Sequence, residues 1–197
     1  MEKSYKTALL IVDMQKDFTM PWGTVYYETT EKIIPLMAED IKKLREKGVL
    51  IVYVYTAGPA KAEGGNPELG AYNGGIRKCL VEGTPGAEYD ERLGYQPETD
   101  IMWRKYAPSA FFKTNLDEVL RGYGVENVLV CGVKTNCCVR ATANDANCHK
   151  FCTFLVSDIV ATNTVEETEV HLLEAGKYFA KPITSQEMFE RIEKGQL

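Results

Sequence analysis

The sequence predicts an α/β protein: a three-layer α/β/α, Rossmann-like sandwich around a mostly parallel six-stranded sheet, built as a single domain over residues 1–197. Three observations carry that expectation. Short apolar runs rich in Val and Ile alternate with longer segments of helical period, the pattern of strands joined by helical crossovers. Several of the helical segments open on Thr-x-x-Glu or Thr-x-x-Asp, a capping signal, and two meet a glycine at their end. No repeat, linker or low-complexity tract divides the 197 residues, a length that buries one sizeable core.

In chain order, Thr7–Val12 is an unbroken apolar run of the kind buried on both faces, and so a central strand. Met14–Thr30 carries Pro21, Trp22 and Gly23 and reads as a loop over the crevice, with Phe18 and Trp22 either lining an apolar pocket or packing the loop down. Glu31–Lys47 places Ile33, Ile34, Met37, Ile41 and Leu44 at helical spacing before Gly48, and Val49–Tyr55 is the second strand. The stretch 56–99, rich in Gly and Pro, is too long for a routine connection. It offers Asn66, Tyr72, Arg77 and Tyr89 as substrate contacts, with Tyr72 and Arg77 chosen for the pocket. Asp100–Trp103 is a third strand, and Thr114-x-x-Asp117 opens a short helix to Gly122. Val128–Cys131 is a buried strand broken by Gly132, followed by Thr135 and Asn136 as helix-capping oxygens and a helix from Cys137 containing Ala141, Ala143 and Ala146. Phe151–Val156 is a strand ending in Ser157 and Asp158. Thr164-x-x-Glu167 starts a helix running to Ala175 and closed by Gly176, Pro182–Ile183 is the last strand, and Thr184-x-x-Glu187 caps the final helix.

Composition narrows the function. A net charge of −5 with no Lys/Arg cluster argues against nucleic-acid binding, and 45% hydrophobic with 26% charged residues is ordinary for a globular protein. No run approaches the ~18–20 apolar residues of a membrane span, and the N-terminal MEKSYKTALLIVDMQ lacks the form of a signal peptide. A cytoplasmic enzyme is therefore expected, acting on a small molecule as a homo-oligomer (dimer or tetramer), with neither nucleic acid nor membrane as partner. In that compartment the six cysteines are expected as free thiols. Cys131 reads as a core residue and Cys79 lies alone in a loop, while Cys148 and Cys152 have no second pair to complete a zinc site. His149 and His171 are the only histidines, too few and too scattered for a metal shell, so no metal or other cofactor is expected.

The chemistry centres on VLVCGVKTNCCVRATANDA, Val128–Ala146. A strand–turn–helix leaves backbone N–H groups at the turn, where the helix dipole is positive. A thiol there, at Cys138, is expected to have a depressed pKa, and the same amides suit an oxyanion. Asp13 ends the first strand and Lys105 lies just beyond the strand Ile101–Trp103. In a parallel sheet all three residues converge outside the carboxyl ends of the strands. There Cys138 and Asp13 make a nucleophile–base pair, with Lys105 as a fixed charge. Asp17 is a rival base, Asp145 and Asp158 read as structural, and Cys137 adjoins the nucleophile. A structural Asp–Lys pair, a redox pair Cys137/Cys138 and a binding module without chemistry are the competing readings.

Four segments in order, VDMQKDF (Val12–Phe18), KYAPSAFFKTNLDEVL (Lys105–Leu120), CGVKTNCCVRATANDA (Cys131–Ala146) and EVHLLEAGKYFAKPITSQEM (Glu169–Met188), cover the chain nearly end to end. By these the chain resembles the isochorismatase-like cysteine hydrolase superfamily, which includes nicotinamidases, N-carbamoylsarcosine amidohydrolases and ureidoacrylate amidohydrolases. GTPGAE (Gly83–Glu88) also resembles a family segment. The resemblance implies Cys138 as nucleophile, Asp13 as general base, Lys105 as third member, a cis peptide between Val133 and Lys134, and an oxyanion hole from the amides of Lys134 and Cys138. The chain departs from nicotinamidases after the second strand, where their Asp-x-His metal motif is replaced by Thr56-Ala57-Gly58. The activity so implied is metal-independent cleavage of a C–N bond in a small amide or N-carbamoyl (ureido) compound through a thioester. A metal-independent nicotinamidase-like amidase of the same superfamily is the alternative within that class.

Overall fold

The computed structural model describes residues 4–62, 75–76 and 78–197. Six strands form one sheet: β1 (Thr7–Val12), β2 (Leu50–Thr56), β3 (Ile101–Lys105), β4 (Asn127–Val133), β5 (Cys152–Ala161) and β6 (Lys181–Ile183). Their spatial order is β3-β2-β1-β4-β5-β6, and every neighbouring pair is parallel, so the sheet is wholly rather than mostly parallel. The helices are α1 (Lys16–Thr19), α2 (Glu28–Glu46), α3 (Leu116–Gly122), α4 (Arg140–Cys148), α5 (Val165–Tyr178) and α6 (Ser185–Glu193). The chain winds outward from β1 to β3 and then, from β4, outward the other way. Right-handed crossovers therefore put α2 and α4 on opposite faces and open a crevice at the carboxyl ends of β1 and β4.

The central strands are continuous apolar runs because both their faces are covered: every residue of β1 and of β4 is buried. Gly132 permits their close approach near the crevice. Its φ is 101°, and a Cβ there would stand 2.2 Å from the Val12 carbonyl oxygen. α2 lays Ile34, Met37, Ile41 and Leu44 into the core.

Several boundaries differ from expectation for local reasons. β3 runs on through Arg104 to Lys105, because those two side chains find partners across the neighbouring strand ends. β5 does not end at Val156; it passes Ser157 and Asp158 and re-pairs Val160 with Gly132 after a register shift. Ser157 and Asp158 are tolerated inside it because they bond Ile183 and Ser185 at the start of α6. α5 does not stop at Gly176 but continues to Tyr178, and the missing Cβ leaves room for Pro182, whose Cδ would lie 3.1 Å from it. Thr114 stands one residue before the N-cap of α3, which is Asn115: its hydroxyl donates to Ala110 O at 2.7 Å and accepts from Leu116 N at 3.4 Å. Thr164 and Thr184 do cap α5 and α6. The irregular stretch after β2 contains a two-residue antiparallel ladder, Lys61–Ala62 with Gly75–Ile76, and short 3-10 turns at Pro85–Ala87 and Glu91–Leu93. Among the described residues no helix is long and apolar enough to cross a membrane.

Candidate active site

Three adjacent strands end in three polar residues that meet. β1 delivers Asp13, whose φ of 52° turns the chain sharply out of the sheet, a conformation Asp tolerates better than most side chains. Its N–H donates to Val54 O at 2.9 Å, which anchors the turn to β2. β3 delivers Lys105 and β2 delivers Thr56. Lys105 Nζ lies 2.9 Å from Asp13 Oδ2, and both side chains are almost fully buried. The same ammonium donates to Thr56 Oγ1 at 2.7 Å and Ala107 O at 3.2 Å, while Thr56 Oγ1 donates to Asp13 Oδ1 at 3.1 Å. A dry ion pair holds only when its remaining hydrogens and lone pairs find partners, and this one has them. Burial is the largest influence on Lys105 and opposes its charge, but Asp13 and Cys138 together outweigh it and hold the pKa above the ordinary lysine value.

Gln15 locks this arrangement. Its Oε1 accepts from Thr56 N at 3.0 Å, and its Nε2 donates to Thr56 O and Ala87 O, each at 2.7 Å. Neither Gln15 nor Thr56 stands out in the sequence as functional. The available signal was a polar residue two positions beyond Asp13, and a threonine at the end of the strand between those of Asp13 and Lys105.

Cys138 sits in a turn of π-helical type, Thr135–Val139, that leads into α4. Cys137 N and Val139 N both donate to Lys134 O, at 3.0 and 3.2 Å, and the Val133–Lys134 peptide is cis. Thr135 and Asn136 are not caps: the Thr135 side chain is buried, and Asn136 Oδ1 accepts from Thr162 Oγ1 at 2.8 Å, tying the turn to the end of β5. The thiol of Cys138 is buried and donates to Cys137 Sγ at 3.9 Å. That bond, burial and the Asp13 carboxylate push its pKa well above the ordinary thiol value, with Lys105 pulling the other way. This corrects the expected depression. The turn's dipole is outweighed by a neighbouring acceptor, a neighbouring anion and the exclusion of water. Cys137, half-buried, receives the hydrogen bond, and its pKa falls to about 7 despite its burial, with Lys105 and Lys134 assisting.

The remaining sequence candidates separate clearly. Asp17 is a structural staple: Oδ1 accepts from Thr24 N and Oγ1 at 3.1 and 2.9 Å, and Oδ2 from Leu80 N at 2.6 Å. Gly86, within GTPGAE, leaves the space this carboxylate fills. Phe18 is buried in the core, and Trp22 is 60% exposed. Tyr89 is engaged through its hydroxyl with Ile11 O at 2.8 Å. Tyr72 and Arg77, with Asn66, lie outside the described residues. His149 faces Asp117 and His171 faces Glu174, both on the helices. Among the described residues no three His, Cys, Asp or Glu side chains are grouped to hold a metal. Cys79 and Cys131 are buried, Cys148 and Cys152 exposed.

The chain is similar to known proteins over most of its length. It is 29% identical to a maleamate amidohydrolase of Pseudomonas putida over 189 residues, 95% of this chain and 87% of that protein. It is 28% identical to a ureidoacrylate amidohydrolase of Azorhizobium caulinodans, over 71% of this chain and 69% of that one. Among solved structures, the pyrazinamidase of Pyrococcus horikoshii in complex with zinc is 38% identical and superposes with a TM-score of 0.77 over 91% of this chain and 99% of its own. Residues 7–187 match the Isochorismatase domain, and the chain belongs to the isochorismatase family.

Proposed function

We propose that this protein is an amidohydrolase that cleaves the C–N bond of a small amide or N-carbamoyl compound through a thioester on Cys138, with no metal. The observation that carries the reading is the buried Asp13–Lys105 pair, completed by Thr56, within electrostatic reach of the Cys138 thiol. The named activities of the maleamate and ureidoacrylate relatives support the reaction class. The metal-free reading rests on Thr56, which stands where nicotinamidases turn to their metal motif and here serves Lys105 and Asp13 instead.

The raised pKa of Cys138 makes the resting sulfur a neutral thiol. As Sγ bonds to the substrate carbonyl carbon, its proton passes to Asp13, a general-base step. The carbonyl oxygen becomes an oxyanion received by the amides of Lys134 and Cys138. Collapse breaks the C–N bond, and Asp13 returns the proton to the departing nitrogen as ammonia or an amine. Water then gives a proton to Asp13 while its oxygen attacks the thioester, and the released thiolate takes that proton back. Lys105 stays charged throughout and keeps Asp13 in place.

A panel of small primary amides and ureido acids, assayed for released ammonia, tests this reading. Turnover that disappears in Cys138→Ala supports it. Absence of turnover across the panel, together with reversible loss of two thiols under mild oxidant, would favour the redox alternative that the 3.9 Å sulfur contact permits.

A further inference from the structure

α5 packs on the turn that carries Cys138 and on β5 and β6, yet Ala175 is the only one of its 14 residues that is fully buried, where α2 buries six of 19. A surface helix normally confines its apolar residues to the one stripe that meets the core. This helix is apolar on two sides. Inward, Ala175 and the half-buried Leu172 meet the core; outward, Val170 and Leu173 stand 63% and 62% exposed. Val165 and Tyr178 at the two ends are exposed as well, so α5 carries four of the eleven exposed large apolar side chains among the described residues. One such residue calls for no explanation, but a cluster on one helix marks an interaction surface.

The outward stripe has an order. Glu166, Val170, Leu173 and Lys177 follow one another at spacings of four, three and four residues, which align them on one helix face. Both charged residues are exposed, and among the described residues the ion pairs of α5 use Glu174, with Arg140 and His171, and leave Glu166 and Lys177 out. The stripe therefore reads acidic, apolar, apolar, basic. Laid antiparallel on a copy of itself, it sets Val170 against Leu173 in the middle and Glu166 against Lys177 at both ends. Laid parallel, it sets like charge against like.

We propose that α5 is the face through which two copies of this chain associate, antiparallel, about a two-fold axis midway between Val170 and Leu173. A second copy is the occupant because the complement that the stripe requires is the stripe itself, the condition for an isologous contact. The two Val170–Leu173 contacts exclude water at the centre, and the two Glu166–Lys177 pairs at the rim fix the direction. A helix of this length spans about 21 Å, and its outer face alone covers less than the ~800 Å² per partner of a standard interface. The dimer is therefore reversible at micromolar concentrations. The proposal is independent of the chemistry assigned to Cys138.

Sedimentation equilibrium of the full chain in low-salt buffer, from about 1 to 200 μM, tests it. The mean mass should climb with concentration from that of one chain to that of two. Glu166→Lys and Lys177→Glu each set like charges together at both ends of the contact, so either should weaken association at least about 10-fold. Mixing the two variants in equal amounts pairs the lysines of one with the glutamates of the other, and should bring the affinity back to within about threefold of wild type. Leu173→Asp should leave a monomer. All of these positions are exposed in the single chain, so the variants keep its fold, which circular dichroism checks. A monomer at every concentration, a dimer indifferent to both charge reversals, or a mixture that fails to recover would overturn the proposal. So would a monomer that sediments with phosphatidylcholine vesicles instead, which would give the apolar stripe to a bilayer.

Discussion

The hydroxyl oxygen of Thr56 lies 2.7 Å from Lys105 Nζ and donates its own proton to Asp13 Oδ1 at 3.1 Å. One side chain thus bridges the two charges and fixes the direction in which the carboxylate faces. Thr56→Val keeps the shape but leaves a lysine hydrogen and a carboxylate oxygen unpaired in a dry site, a stability cost of about 1–3 kcal/mol. The expected result is a kcat/KM lowered about 10–100-fold with a displaced pH–rate profile, and recovery in Thr56→Ser. A proportional fall at every pH, without rescue by serine, would assign Thr56 to packing alone.

The thiol pair should react in the reverse of the order that a simple nucleophile suggests. Cys137 is half-buried with a pKa of about 7, whereas Cys138 is buried with its pKa pushed up. Limiting iodoacetamide on the free protein, followed by peptide mapping, should label Cys137 before Cys138, with a rate that climbs as pH rises through about 7. Cys137→Ser should retain most of the turnover. First labelling at Cys138 would mean that its resting form is the thiolate.

A second buried carboxyl is set apart from the chemistry. Asp40 on α2 is 2% exposed, and Ser185 Oγ lies 2.5 Å from its Oδ2 and 3.0 Å from Asp158 Oδ1. Burial raises the Asp40 pKa, the Ser185 hydrogen bond opposes that, and Asp158 adds to it. The folded protein therefore holds a proton that the unfolded chain gives up near pH 4. This contribution to stability is complete at low pH and is lost as pH rises from the unfolded pKa through the raised, folded one. Asp40→Asn mimics the protonated form, so it should raise Tm at pH 7 by about 2–4 °C, the shift made by ~1 kcal/mol at this size, and flatten Tm against pH above pH 4. A lower Tm at pH 7 would show that the charged carboxylate stabilises the native state.

The proposal that hydrolysis needs no metal rests on the use of Thr56 and on the engagement of both histidines with helix carboxylates. After exhaustive dialysis against a chelator, hydrolysis should stay within about twofold of the untreated rate. A large loss restored specifically by zinc, manganese or iron would contradict this.

The fold was legible because the same forces wrote it locally and globally. A run such as Ala8–Val12 has no use for so much apolar surface except in the middle of a covered sheet. Asp13 and Cys138 could be placed because strand ends in a parallel sheet converge. What escaped depends on contacts between residues distant in sequence. The lysine at 105 belongs to β3 because Thr56 and Asp13 await its ammonium, and apolar patterning is blind to that. Gly176 reads as a stop in the sequence, but its missing Cβ serves the packing of Pro182 instead. The Cys138 thiol followed its buried neighbours rather than the turn's dipole.

We infer that Cys138, Asp13 and Lys105 act as one catalytic unit. Its most direct test is kcat/KM for Cys138→Ala, Asp13→Asn and the double variant, on whichever amide or ureido acid releases ammonia fastest. Cys138→Ala should abolish turnover. Asp13→Asn should lose more than the ~10²–10⁴-fold of a single general acid–base step, since the residue serves both halves of the reaction. The double variant should fall little below the worse single one, because residues of one unit are strongly non-additive. Losses that multiply, or near-wild-type activity in either single variant, would contradict it.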